Sequence, residues 1–233
     1  MIKRIIEMGI EIIKSIGILL LFIFIPAYSS KLLRPYISSN NYWISNLSAI
    51  ACYVILAIIY AFLYRKRLKD DLKSFKSKNI GIGIRYWLIG CLIMIISNVI
   101  IFYFVKDISA NEAANRELIN KMPLFSLLTI CVLTPFNEEI AFRLSMKKIF
   151  KSALLYALLS GFVFGGMHVI TAEGIALWYI IPYGALGFMF ALAFHKTDNI
   201  YTSMILHMLH NTVTILILYI SGGILWLNEY SGF

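Results

Sequence analysis

Residues 86–105, YWLIGCLIMIISNVIIFYFV, contain no Asp, Glu, Lys or Arg. A helix needs roughly 20 apolar residues to cross about 30 Å of hydrocarbon, so this stretch is long enough to span a bilayer by itself. It is not alone. Residues 35–64, 152–172, 174–194 and 199–228 are equally free of those four residue types. Residues 15–30 form a shorter block extended by Ile12 and Ile13, and residues 122–137 form another that ends at Glu138 and Glu139. Backbone polar groups in lipid must be satisfied within the segment, so long continuous apolar runs predict helices, whereas a barrel would need short alternating strands. The reading is an all-α, multi-pass transmembrane helix bundle of about seven spans, in a range of six to eight.

Composition agrees. Of 233 residues, 60% are hydrophobic and only 14% charged, which is too apolar for a water-soluble surface. The net charge of +9 is concentrated rather than spread. Arg65, Lys66, Arg67, Lys69, Lys73, Lys76 and Lys78 crowd one connection, relieved by Asp70 and Asp71, while residues 106–121 balance three bases with three acids. That asymmetry predicts a cell-membrane protein with its amino terminus, the 65–78 connection and Lys147, Lys148 and Lys151 on the cytoplasmic side. Membrane lipids are the expected partners of this charge, and a nucleic-acid function is excluded. The start resembles a signal sequence but shows no small-x-small cleavage site, and it is read as the first span. Cys52, Cys91 and Cys131 lie in three different apolar blocks, which predicts buried thiols and no disulfide framework. Oligomeric state is not legible.

The chain changes character near residue 121. Residues 1–121 hold three spans and their connections, including the polar stretch KDISANEAANRELINK at 106–121, read as a surface helix or loop. Residues 122–233 form the predicted catalytic membrane core, and the two parts are expected to pack as one integral membrane domain. In the second part, ionisable and amide side chains fall inside or against apolar blocks, at Glu138, Glu139, Arg143, His168, His207, His210 and Asn211, whereas the ionisable groups of the first part sit at the margins of its spans. Pro135 stands three residues before the acids and predicts either a kinked span or a fresh helix start. Ser160, Gly161, Gly165 and Gly166 form a small-residue surface, with Gly161 and Gly165 on one face where another helix can approach closely.

Arg143 follows Glu139 by four residues, so the two share a helix face and are expected to pair. Glu138 points about 100° away and stays available. An unpaired intramembrane carboxylate is costly and marks a polar cavity. There it is a candidate general base that takes a proton from an attacking water, with His168 as its companion. His207 and Asn211 are also four apart and can present donors to an oxygen becoming negative. His210 lies at the edge of that face and is read as supporting, and His195 as an exposed loop histidine. Glu138, His168 and His207 are the candidate ligands should a divalent metal such as zinc be used, although no close-spaced His-Glu-x-x-His pair is present. Straight helices leave a mismatch: counted from their inner ends, Glu138 lies roughly 15 Å deep, His168 roughly 24 Å and His207 roughly 9 Å. One site then requires a break near Pro135, tilting, or a late start of the 152–172 helix.

The segments EEIAFR at 138–143, FGGMH at 164–168 and HMLHN at 207–211 resemble, in order, the three motifs of the CPBP intramembrane proteases. That family includes type II CAAX prenyl endopeptidases and bacterial bacteriocin-processing and self-immunity proteins. The resemblance covers about residues 120–220 and implies peptide hydrolysis in a membrane cavity, on a membrane-associated peptide or tethered protein. It implies Glu138 as the catalytic glutamate, His168 as its water-activating partner, His207 and Asn211 around the oxyanion, and Glu139 and Arg143 in support. Family members are described both as metal-dependent and as metal-independent, so zinc stays open. The alternatives from other classes are a transporter or proton relay and a non-catalytic bacteriocin-immunity protein.

Overall fold

A computed structural model describes residues 2–33, 42–170 and 174–230, with side chains described at 6–26, 28, 46–170, 174 and 176–221. The described chain is helical throughout: α1 Ile2–Leu33, α2 Tyr42–Leu63, α3 Arg65–Ser74, α4 Ser77–Val105, α5 Ala110–Lys121, α6 Pro123–Leu128, α7 Thr134–Glu138, α8 Ala153–His168, α9 Ile180–Thr197 and α10 Ile200–Tyr230. The fold is an all-α, multi-pass membrane bundle. Among the described residues, six helical stretches are long and apolar enough to cross a bilayer, including Ser77–Val105 and Pro123–Leu144.

The block at 152–172 departs from the reading as a full span. Its helix is the 16-residue α8, which ends at His168, and residues 171–173 lie outside the described residues, as do 35–41 at the start of another block. Ser152 caps α8 where the block begins, its hydroxyl accepting from the Leu155 amide, so the helix does not start late. His195 is corrected as well: it lies half-buried in the last turn of α9, not in an exposed loop. Within the 65–78 connection, Arg65–Ser74 is a helix whose Leu68 and Asp71 are buried. Asp71 accepts from the Ile200 amide at 2.9 Å and so caps α10 from another element. Residues 110–121 are the helix of the two options, capped by Ser109. The three cysteines are free.

Glycine sets the tightest helix contact, between α8 and α9. A Cβ at Gly161 would lie 2.7 Å from the Gly184 carbonyl oxygen, and one at Gly165 would lie 2.6 Å from the Ile180 carbonyl oxygen. Without side chains at these positions the two backbones touch, as expected of small residues spaced four apart in lipid.

The segment from Pro123 to Leu144 is not interrupted at Pro135, although a new α-helical stretch starts there, at Thr134. It runs continuously through two π-helical stretches, Thr129–Leu133 and Glu139–Leu144, on either side of α7. Pro135 is buried in the first turn of α7, where its missing amide leaves no donor unpaired. A π turn bonds i to i+5 and frees carbonyls from their usual partners. Here side chains from elsewhere take them up. The Asn211 amide donates to Ile130 O at 2.8 Å and the Ser160 hydroxyl to Phe142 O at 2.7 Å, while the Tyr156 hydroxyl at 3.1 Å adds a second donor to Arg143 O, which already accepts from the Lys147 amide. Ser145 donates to Ala141 O at 2.6 Å. The wide turns are therefore pinned by hydroxyls and an amide, which satisfies buried backbone that lipid could not.

Candidate active site

The wide turn at Glu139–Leu144 puts two consecutive carboxylates into different surroundings. Glu139 and Arg143 are both fully buried, with Arg143 Nε 3.5 Å from Glu139 Oε1. That is an ion pair outside hydrogen-bond geometry, and Arg143 Nε and Nη1 and Glu139 Oε2 have no hydrogen-bond partner. The guanidinium donates from Nη2 to Gly187 O at 3.5 Å and is otherwise held by rings: its Cζ stands 4.2 Å from the Phe164 centroid, 5.9 Å from Phe190 and 6.0 Å from Phe142. A desolvated cation gains most from such faces, which offsets part of the cost of burying it.

Glu138 turns the other way, into a cavity of about 690 Å3. Its carboxylate lies 3.9 Å from His168 Nε2 and 3.5 Å from His207 Nε2. Both imidazoles are oriented by their opposite nitrogens. His168 Nδ1 donates to Phe164 O at 2.9 Å, and His207 Nδ1 donates to Glu139 Oε1 at 2.9 Å. The Nε2 atoms are thereby turned toward Glu138, and in the neutral ring each carries a lone pair there. Aromatic stacking fixes the planes, Tyr183 on His168 with centroids 4.4 Å apart and Phe190 on His207 at 5.1 Å.

The depth mismatch between these helices closes without a break. The Ser160 hydroxyl on Phe142 O sets the register of α8 against the Glu139–Leu144 turn, and His168 follows two turns later. Side chains lean toward the amino end of their helix, so Glu138 and His168, on oppositely directed helices, lean toward one another.

Asn211 and His210 stand beside this group on the same cavity wall. Asn211 spends one amide hydrogen on Ile130 O, which leaves its second free to donate elsewhere. His210 Nδ1 accepts from the Trp87 indole at 3.3 Å and lies 3.8 Å from Cys91 Sγ. Asn137, fully buried, ties the segment to α2 by donating to Tyr53 O at 3.0 Å. Neither Asn137 nor Tyr183 was signalled by sequence, since an amide and a tyrosine in apolar blocks carry no spacing that marks them. Glu138, His168 and His207 are the candidate ligands for a divalent metal. Among the described residues no three His, Cys, Asp or Glu side chains converge to hold one.

Residues 120–213 match the family described as Type II CAAX prenyl endopeptidase Rce1-like. The chain is also 30% identical over 184 residues to the "Putative membrane peptidase YdiL" of Bacillus subtilis (strain 168), a match covering 74% of this chain and 70% of that protein. The chain belongs to the Rce1-like family of membrane proteases. No solved structure matches it. All seven polar residues singled out from the sequence of this Rce1-like protease lie within or against one pocket. Glu138, His168, His207, His210 and Asn211 line it, and Glu139 and Arg143 lie directly behind.

Proposed function

We propose that this protease hydrolyses a peptide bond of a membrane-associated peptide or protein with a water activated by Glu138 and His168. The observation that carries the reading is the buried Glu138 carboxylate at the cavity wall, facing the Nε2 atoms of His168 at 3.9 Å and His207 at 3.5 Å. At 3.9 Å, Glu138 and His168 are too far apart for a direct hydrogen bond but suitably spaced to share one water. Each accepts one of its hydrogens, which leaves an oxygen lone pair aimed into the cavity. Glu138 takes the proton as that lone pair attacks the scissile carbonyl, then delivers it to the departing amine.

The tetrahedral oxyanion falls to the neighbouring wall. With Nδ1 committed to Glu139, His207 donates from Nε2 when its ring is protonated, and the Glu139 carboxylate stabilises that charge. Asn211 contributes its second amide hydrogen. Arg143 touches no substrate; it anchors Glu139, which in turn orients His207. The orientation proposed for the protein is amino terminus cytoplasmic, with lipids as partners of the basic end.

The test is product mapping with protein in liposomes against a proteome-derived peptide library, comparing native protein, Glu138→Gln and a chelated sample with metal analysis. Native protein is expected to give discrete new termini and Glu138→Gln none. Unchanged cleavage by Glu138→Gln refutes the role of that residue, and loss on chelation restored by zinc refutes a purely glutamate- and histidine-driven reaction.

A further inference from the structure

The bundle has two chemically different ends. Lys148 Nζ lies 3.9 Å from Glu11 of α1, Lys147 Nζ 3.9 Å from Asp198, and Arg67 Nη2 3.2 Å from the same Asp198. These ion pairs gather α1 near its start, α3, the turn before α8 and the α9–α10 turn at one end. That end carries the seven bases of 65–78 together with Lys147, Lys148, Lys151 and Lys196, eleven in all. At the opposite end lie α5 and the finish of α4, where Lys106, Arg116 and Lys121 meet Asp107, Glu112 and Glu117.

Among the described residues, the cavity is lined from the catalytic group toward the second end. Beyond Glu138 and the two histidines its walls are the early part of α2 at Asn46–Tyr53, the late part of α4 at Met94–Phe102, and α5. No lining residue comes from α3, from 145–152 or from the α9–α10 turn. Its rim is rich in amides, with Asn98, Asn111 and Asn115 beside the Glu112–Arg116 ion pair at 2.9 Å. Carboxamides present a donor and an acceptor each, the pairing that an extended peptide backbone offers in return.

We propose that the catalytic cavity takes its substrate from the side of the membrane opposite the cytoplasm, as an unfolded polypeptide segment laid against the α5 rim. The physical ground is that short connections rich in Lys and Arg are retained on the cytoplasmic side, which puts the basic end there and the cavity mouth outside. The substrate part of this inference rests on the peptidase reading above; the orientation does not.

The experiment separates the two. In full-length chain with Cys52, Cys91 and Cys131 replaced by Ala, Asn120→Cys on exposed α5 and Lys69→Cys on exposed α3 are treated with a membrane-impermeant maleimide in intact cells. Asn120→Cys is expected to label in intact cells and Lys69→Cys only after permeabilisation. The reverse pattern overturns the proposal. An amino-terminal green fluorescent fusion of the chain with its own cysteines, expected to fluoresce, gives the orientation should the cysteine replacements not fold; a dark, well-expressed fusion overturns it as well. The peptide library is then added to right-side-out and inverted vesicles, with peptides either free or bearing a palmitoyl anchor. Cleavage in right-side-out vesicles alone is expected, and the two peptide forms tell a released peptide from a tethered one. Cleavage in inverted vesicles alone overturns the substrate side. With labelling as expected and no cleavage in either orientation, the orientation stands and the peptidase reading fails.

Discussion

Neighbouring glycines in α8 are expected to respond to the same substitution with opposite sign. At Gly165 an added Cβ lies 2.6 Å from the Ile180 carbonyl oxygen, whereas ordinary carbon–oxygen contact begins near 3.3 Å. Gly165→Ala must therefore push α8 and α9 apart by roughly 0.7 Å along that contact. Backbone carbonyls cannot rotate aside as a flexible side chain can, and such overpacking costs about 1–3 kcal/mol. Gly166 has nothing within 4 Å of its ideal Cβ, so Gly166→Ala brings only the gain in helix propensity, about 0.5–1 kcal/mol. The same propensity gain applies at Gly165 and leaves a net loss there of up to about 2 kcal/mol. Thermal unfolding in a single detergent, read by size-exclusion of the surviving monodisperse fraction, compares the pair. Gly165→Ala is expected to lose cleavage as well, since His168 lies three residues further along α8 and stacks on Tyr183 of α9 at 4.4 Å. Equal stability of the two variants, or greater damage at Gly166, refutes the claim that a backbone contact governs the packing.

The buried Glu139–Arg143 pair predicts strong coupling. Arg143→Met or Glu139→Gln alone is expected to cost about 3–5 kcal/mol by stranding its partner, and the double variant less than the sum, measured by a double-mutant cycle of thermal stability. His168→Ala is expected to lower kcat about 10²–10⁴-fold with KM little changed, because its ring orients water rather than substrate; a change confined to KM contradicts that role. Asn211→Ala is expected to destabilise by about 1–3 kcal/mol as well as slow turnover, since Ile130 O loses its donor, and Asn211→Asp is expected not to restore stability. Stability unchanged by Asn211→Ala counts against the amide as a pin of the π turn.

What sequence made legible was whatever depends on one segment at a time. Uninterrupted apolar runs are enough to predict the membrane helices, and the i,i+4 spacing of Glu139 and Arg143 is enough to predict their pairing, because both follow from helix geometry. The π turns at 129–133 and 139–144 were not legible. They persist because Asn211 and Ser160, distant in the chain, occupy freed carbonyls, and no local pattern announces those partners. The depth mismatch between Glu138 and His168 has the same origin, since counting along straight α-helices cannot include a register set by a hydroxyl on Phe142 O. The helical character of 65–74 was masked by its charge; its Asp71 is buried against α10 rather than solvated, a placement that local composition argues against.

The brevity of α8 has a consequence for the surrounding lipid. Sixteen residues rise only about 24 Å, several ångströms less than the hydrocarbon they stand beside, while Leu154, Leu158 and Phe162 face outward along that length. Acyl chains next to this helix must compress, which draws the headgroup layer down toward His168. A helix this short is expected to thin the bilayer locally and so to lower the barrier that water crosses to reach His168.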